Sequence, residues 1–138
     1  MKTLLLSFVM MLSCSAVFSQ LRNEAKIEAV YGTEWLNRMK TDAPDLLVLM
    51  DKYVEFGFSV RTVSEGKYEQ EQTPIEQIPL TSKGNEFLSV EEFMLEVESE
   101  DFNPLRYNYF PTKEAQVFKL KGVNKIIYIL PQEIILSK

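Results

Sequence analysis

"QVFKLKGVNKIIYIL", residues 116–130, reads as two strands around a reversal. The first half alternates apolar and polar residues, the period of a half-buried strand. "GVN" supplies the reversal, because Gly122 and Asn124 tolerate positive φ. Residues 126–130 are apolar without alternation, as in a strand covered on both faces. Pro131 has no N–H to continue a ladder and ends that strand, and "EIIL" at 133–136 predicts one more short strand. Upstream, "RYNYF" at 106–110 also alternates, so the chain after Pro104 reads as sheet.

Outward from this hairpin the period changes from two to between three and four. In "LSVEEFMLEVE", residues 88–98, Ser89 and Glu92 have the spacing of a capping box, with Leu88 and Phe93 at the hydrophobic-staple positions. A helix of about ten residues is predicted from Ser89, with Phe93, Met94 and Val97 inward and Glu91, Glu92, Glu96 and Glu98 on its outer face. Nearer the N-terminus, Ile27, Val30, Tyr31, Trp35, Leu36 and Met39 form one helical stripe, with a break or bend near Thr33 because Gly32 weakens the middle. Asp42 is placed to cap a second helix with Pro44 in its first turn. Leu46, Leu49, Met50 and Tyr53 form its face and Gly57 its C-terminal stop.

Residues 58–63 alternate as a strand, "SEGK" at 64–67 reads as a turn, and residues 67–86 read as a long loop or edge strand anchored by Ile75, Ile78 and Leu80. The fold class is therefore α+β: an N-terminal helical hairpin plus one short helix, packed on an antiparallel sheet formed mainly by the C-terminal third.

The first 19 residues read as a signal peptide, with Lys2, an apolar run from Leu4 to Leu12, and small residues before Gln20. Val17 and Ser19 fit a signal peptidase cutting before Gln20, which leaves residues 20–138 as one small α+β domain. The alternative is lipidation of Cys14. Of the three residues before it, Met11, Leu12 and Ser13, only Ser13 fits the usual lipobox pattern. The short Lys-containing start and the Gln after the cut resemble the leaders of exported proteins in the Bacteroidota. Polar residues interrupt and follow the run, which is too short to span a bilayer, and the mature chain is expected to hold no transmembrane segment.

Composition excludes several chemistries. The chain has 20 acidic and 15 basic residues, no histidine and a single cysteine. The usual zinc and copper sites, Ser-His-Asp triads and Cys-His pairs all need residues the mature chain lacks. An acidic chain is a poor partner for nucleic acid. Glu91 and Glu92 are adjacent, about 100° apart on a helix, and so do not flank one substrate bond. Ser82 and Lys83 sit beside Gly84 in a turn, and the five glycines are scattered singly without a phosphate loop. "ESEDFN" at 98–103 offers oxygen ligands but neither the spacing nor the glycine of a calcium loop. No cofactor or metal is called for.

Tyr and Arg are enriched at interfaces, which directs attention to Arg106, Tyr107 and Tyr109 on the expected strand. Aromatics in a strand are more often core, however, and the face of Tyr107 and Tyr109 reads as either. The acidic helix face of Glu91, Glu92, Glu96 and Glu98 is the second candidate surface. These features point to an exported, non-catalytic binding or accessory module of the bacterial cell envelope, contacting an envelope or outer-membrane protein. The alternatives are a small-molecule or lipid carrier with an apolar pocket, and a carboxylate- or lysine-based enzyme.

Overall fold

The computed structural model describes residues 21–63, 73–81 and 86–138. The leader with its cleavage site and Cys14, the "SEGK" turn, and Ser82 with Lys83 lie outside the described residues.

Gly32 cuts the N-terminal stripe in two. Its φ of +87° is left-handed backbone that favours glycine, and it separates α1 (Glu24–Tyr31) from α2 (Thr33–Asp42). Tyr31 and Trp35 bridge the break, their rings stacked 4.4 Å apart. A second break follows at Ala43, before α3 (Pro44–Lys52). The expected hairpin is thus three helices, and Asp42 is not the cap. Asp42 closes α2, while Ala43 precedes α3 without a side-chain cap. Pro44 takes the first helical position, where a missing N–H is harmless. The inward set of α3 includes Leu47, Leu49 and Met50, with Leu46 only half-buried.

The chain leaves α3 through a π-helical turn, Tyr53–Gly57, directly into β1 (Phe58–Thr62). Gly57 is required by closeness rather than by a helix cap. A Cβ there would lie 2.6 Å from Tyr53 Cδ2 and 2.8 Å from Ile135 Cδ1. Then β2 (Gln77–Pro79) pairs antiparallel with β3 (Phe87–Ser89), Ile78 opposite Leu88, as a separate two-stranded sheet. Ser89 caps α4 (Val90–Val97) through the expected box: the Glu92 N–H donates to Ser89 Oγ at 3.2 Å, and the Ser89 N–H donates to Glu92 Oε2 at 2.9 Å.

Residues 106–110 are not a strand. Pro104–Arg106 forms a 3₁₀ turn in which Asn103 Oδ1 accepts from the Leu105 N–H at 3.2 Å. Tyr107 then makes one isolated bridge to Leu80 before the chain runs irregularly to Pro111. The two prolines bound a stretch too short to build a ladder of its own.

The hairpin forms as its pattern predicts. β4 (Gln116–Lys119) pairs antiparallel with β5 (Lys125–Ile129), and Gly122 turns at φ +81°. The sheet order is β1-β5-β4, with Phe58 and Gln116 both opposite Ile129. The central strand is β5, and Ile126, Ile127 and Ile129 are fully buried, which explains its unbroken apolar run. After Pro131 the expected strand is instead a helix, α5 (Gln132–Leu136). A strand would put Ile134 and Leu136 on one face and Ile135 on the other. The helical turn seats Ile135 against Gly57 and leaves Ile134 and Leu136 45% and 48% exposed.

All these elements contribute to one core, in which Ile27, Leu36, Met50, Tyr53, Phe93, Tyr107, Ile127 and Ile135 are joined. The architecture is α+β, with helices on an antiparallel sheet drawn mostly from the C-terminal part. Among the described residues, no helix is long and apolar enough to cross a membrane.

Candidate functional site

Arg106, Tyr107 and Tyr109 do not share a face. Tyr107 is 1% exposed, with the Phe93 ring edge-on at 5.0 Å and the Phe58 and Phe102 rings at 6.2 and 5.8 Å. It is a core side chain, which decides between its core and interface readings in favour of the core and removes it as a surface anchor. Its hydroxyl donates to Glu96, and Arg106 pairs with the same carboxylate at 3.1 Å. Burial, and then the bond to Glu96, push the Tyr107 phenol well above its usual range, so it serves as a donor and not as a base. Tyr109 is half-buried at the sheet edge, 4.7 Å from the Phe118 ring, and burial pushes its phenol up to about 12. The Tyr109 carbonyl accepts from the Tyr53 hydroxyl at 3.1 Å. Of the three, Arg106 is the exposed one.

The four glutamates of α4 likewise divide among three tasks. Glu92 closes the capping box, and the bonds from the Ser89 N–H and hydroxyl hold its carboxyl below the usual range. Glu96 turns from the outer face towards Tyr107 and Arg106. Glu91 and Glu98 remain, and both line a groove of about 540 Å³ between α4 and the β4–β5 turn. Since Glu92 stays in the cap while Glu91 lines the groove, their carboxylates serve separate places.

Apolar side chains dominate this groove. Val90, Met94 and Leu95 come from α4, and Lys121, Gly122 and Val123 form the opposite wall. Leu95 is 69% exposed, the most exposed of the large apolar side chains described, and Val123 is 37% exposed. Glu91, Leu95 and Glu98 are spaced by four and then three residues, so they lie on one stripe of the helix. Lys121, across from them, is paired with Glu76. Two smaller hollows flank Arg106, of about 140 and 80 Å³.

Leu95 escaped the sequence reading because the inward set of α4 was satisfied without it. The available signal was an apolar residue standing between two acidic positions of the same stripe. The opposite wall had no local signal, since the turn at 121–123 reaches α4 only through the tertiary fold. Among the described residues no group of three or more Asp, Glu, His or Cys side chains is placed to hold a metal ion. Set against protein-family models, curated proteins and solved structures, the chain matches none.

Proposed function

We propose that this protein is an exported, non-catalytic binding or accessory module of the bacterial cell envelope that acts through protein–protein contacts, with the groove beside α4 as its contact surface. The observation that carries this reading is Leu95. A large apolar side chain that stands in water at the edge of an apolar groove gains most by covering that groove with a partner. Export is supported by the leader pattern at residues 1–19. A non-catalytic role is supported by the carboxylates, since Glu92 and Glu96 are engaged by the fold itself. The groove opens to solvent, which favours a partner chain over a sequestered lipid as its occupant.

The test is site-specific photocrosslinking in cells, with the crosslinking side chain at position 95 and, as a control, at the exposed position 133. The reading expects an adduct with an envelope protein from position 95 and none from position 133. Equal adducts from both positions, or none from either, would remove the groove as a contact surface. Intact mass of the exported protein checks the address: a chain beginning at Gln20 supports simple cleavage, while added lipid on Cys14 places the module on a membrane surface.

A further inference from the structure

The groove also carries information about what fills it, and this inference rests on its reading as the contact surface. We infer that the occupant is a cationic amphipathic segment of the partner, in which an apolar side chain enters beside Leu95 and basic side chains about one helical turn to either side meet Glu91 and Glu98. Three observations select that chemistry.

The stripe reads acidic, apolar, acidic along α4, and at a rise of about 1.5 Å per residue its two carboxylates stand roughly 10 Å apart with the leucine between them. A complementary helix would repeat the pattern with the charges reversed. Next, neither Glu91 nor Glu98 has an ion-pair partner among the described residues, and Lys121 on the facing wall is committed to Glu76. Lastly, Glu98 caps the C-terminal end of α4, and the last turn holds no basic residue. That end of a helix already carries partial negative charge and is stabilised by Lys or Arg. A glutamate there works against the helix, and it concentrates negative potential at one end of the groove.

The same charges disfavour other occupants. A second copy docked through this groove about a two-fold axis would set Glu91 and Glu98 against their own equivalents, since such an interface joins a patch to itself. An anionic lipid surface would meet the two carboxylates first and be repelled. A cationic chain is drawn in by them, and its apolar anchor displaces water from Leu95, Met94 and Val123.

The experiment uses the purified exported protein and two labelled helical peptides of one design. One has leucines along one face with lysines a turn to either side. The other has glutamates in place of the lysines. Anisotropy titrations are expected to show binding of the lysine peptide and none of the glutamate peptide. Glu91→Lys with Glu98→Lys is expected to weaken the lysine peptide by about tenfold or more, and Leu95→Ser by a similar factor. Glu114→Lys with Glu133→Lys makes the same change in net charge at exposed positions away from the groove, and should weaken it less than about threefold at roughly 0.15 M salt. Circular dichroism and the unfolding midpoint establish that each variant is folded. All five substituted positions are exposed. The inference is overturned if the charge-matched control loses as much affinity as the groove pair, if both peptides bind alike, or if vesicles of anionic lipid take up the protein through Leu95. A crosslink from position 95 without any lysine preference would sink this inference alone, whereas a lysine preference without a crosslink in cells would sink the envelope reading and leave the groove's chemistry standing.

Discussion

The Tyr107 hydroxyl donates to the Glu96 carboxylate, so a ring buried in the core and a glutamate on α4 form one joint. Arg106 completes it from the solvent side at 3.1 Å. The joint fixes the side of α4 opposite the groove, and through it the core positions the helix that carries Leu95. Removing the hydroxyl with Tyr107→Phe should cost about 1.5–3 kcal/mol, as for a hydrogen bond to a charged group. Tyr107→Ala should cost about 3–5 kcal/mol, because Phe58, Phe93 and Phe102 then line a cavity. Denaturant unfolding of both variants measures this, and a near-neutral Tyr107→Ala would place the ring at the surface.

The capping box makes a second prediction. Ser89→Ala should lower stability by about 1 kcal/mol, because the Glu92 N–H loses its acceptor. An unchanged denaturant midpoint would mean that the hydroxyl does not support the helix start.

The same box sets a pH dependence. Glu92 is held below its ordinary value of 4.5, so its ionised form favours the folded chain. Its contribution is complete above that ordinary value and is lost as the pH falls through the lower, folded one. The stability difference between the parent and Glu92→Gln should therefore be present at pH 7 and shrink in acid. A difference that stays constant down to pH 2 would separate the carboxylate from the cap.

Alkali should act on the opposite groups. Tyr53, Tyr107 and Tyr109 have phenols raised above the ordinary value of 10.0, in each case first of all by burial. Folding favours their protonated forms, so their contribution is intact below pH 10 and declines as the pH rises towards the folded values. Phenolate absorbance from these three is expected to appear only above pH 10, together with loss of the folded circular dichroism. Ionisation of all six tyrosines near pH 10 in a chain that stays folded would contradict it.

Gly57→Ala should destabilise by about 1–3 kcal/mol, since the added methyl meets Tyr53 and Ile135 at distances no Cβ adopts. Gly57→Ala combined with Ile135→Ala should recover part of the loss of the first change. Simple addition of the two effects would show that the glycine is needed for another reason.

What was legible in the sequence is what is local. The β4–β5 hairpin announces itself through alternation on both sides of Gly122, and the start of α4 through two residues three places apart. The failures share a cause, which is that distant contacts override a short pattern. "RYNYF" alternates as well as any strand here, yet Tyr107 is claimed by aromatic rings from three other segments and the chain bends to deliver it. "EIIL" has strand composition, but the hollow at Gly57 accepts one isoleucine and a helical turn supplies it. Asp42 is a good cap by type, and Gly32 and Ala43 simply place the breaks elsewhere. The groove was half legible: Glu91 and Glu98 were singled out, while the leucine between them and the turn across from them depend on packing.

The strand order β1-β5-β4 has a consequence for how the chain is made. Phe58 finds its partner in Ile129, so β1 leaves the ribosome long before the strand that will cover its edge. Pairings this distant in sequence form slowly, because the intervening chain must be closed first. Until residues 125–135 have been synthesised the central strand is missing and Ile135 has not reached Gly57, so β1 and the helices before it wait without the strand and the side chain that complete their packing.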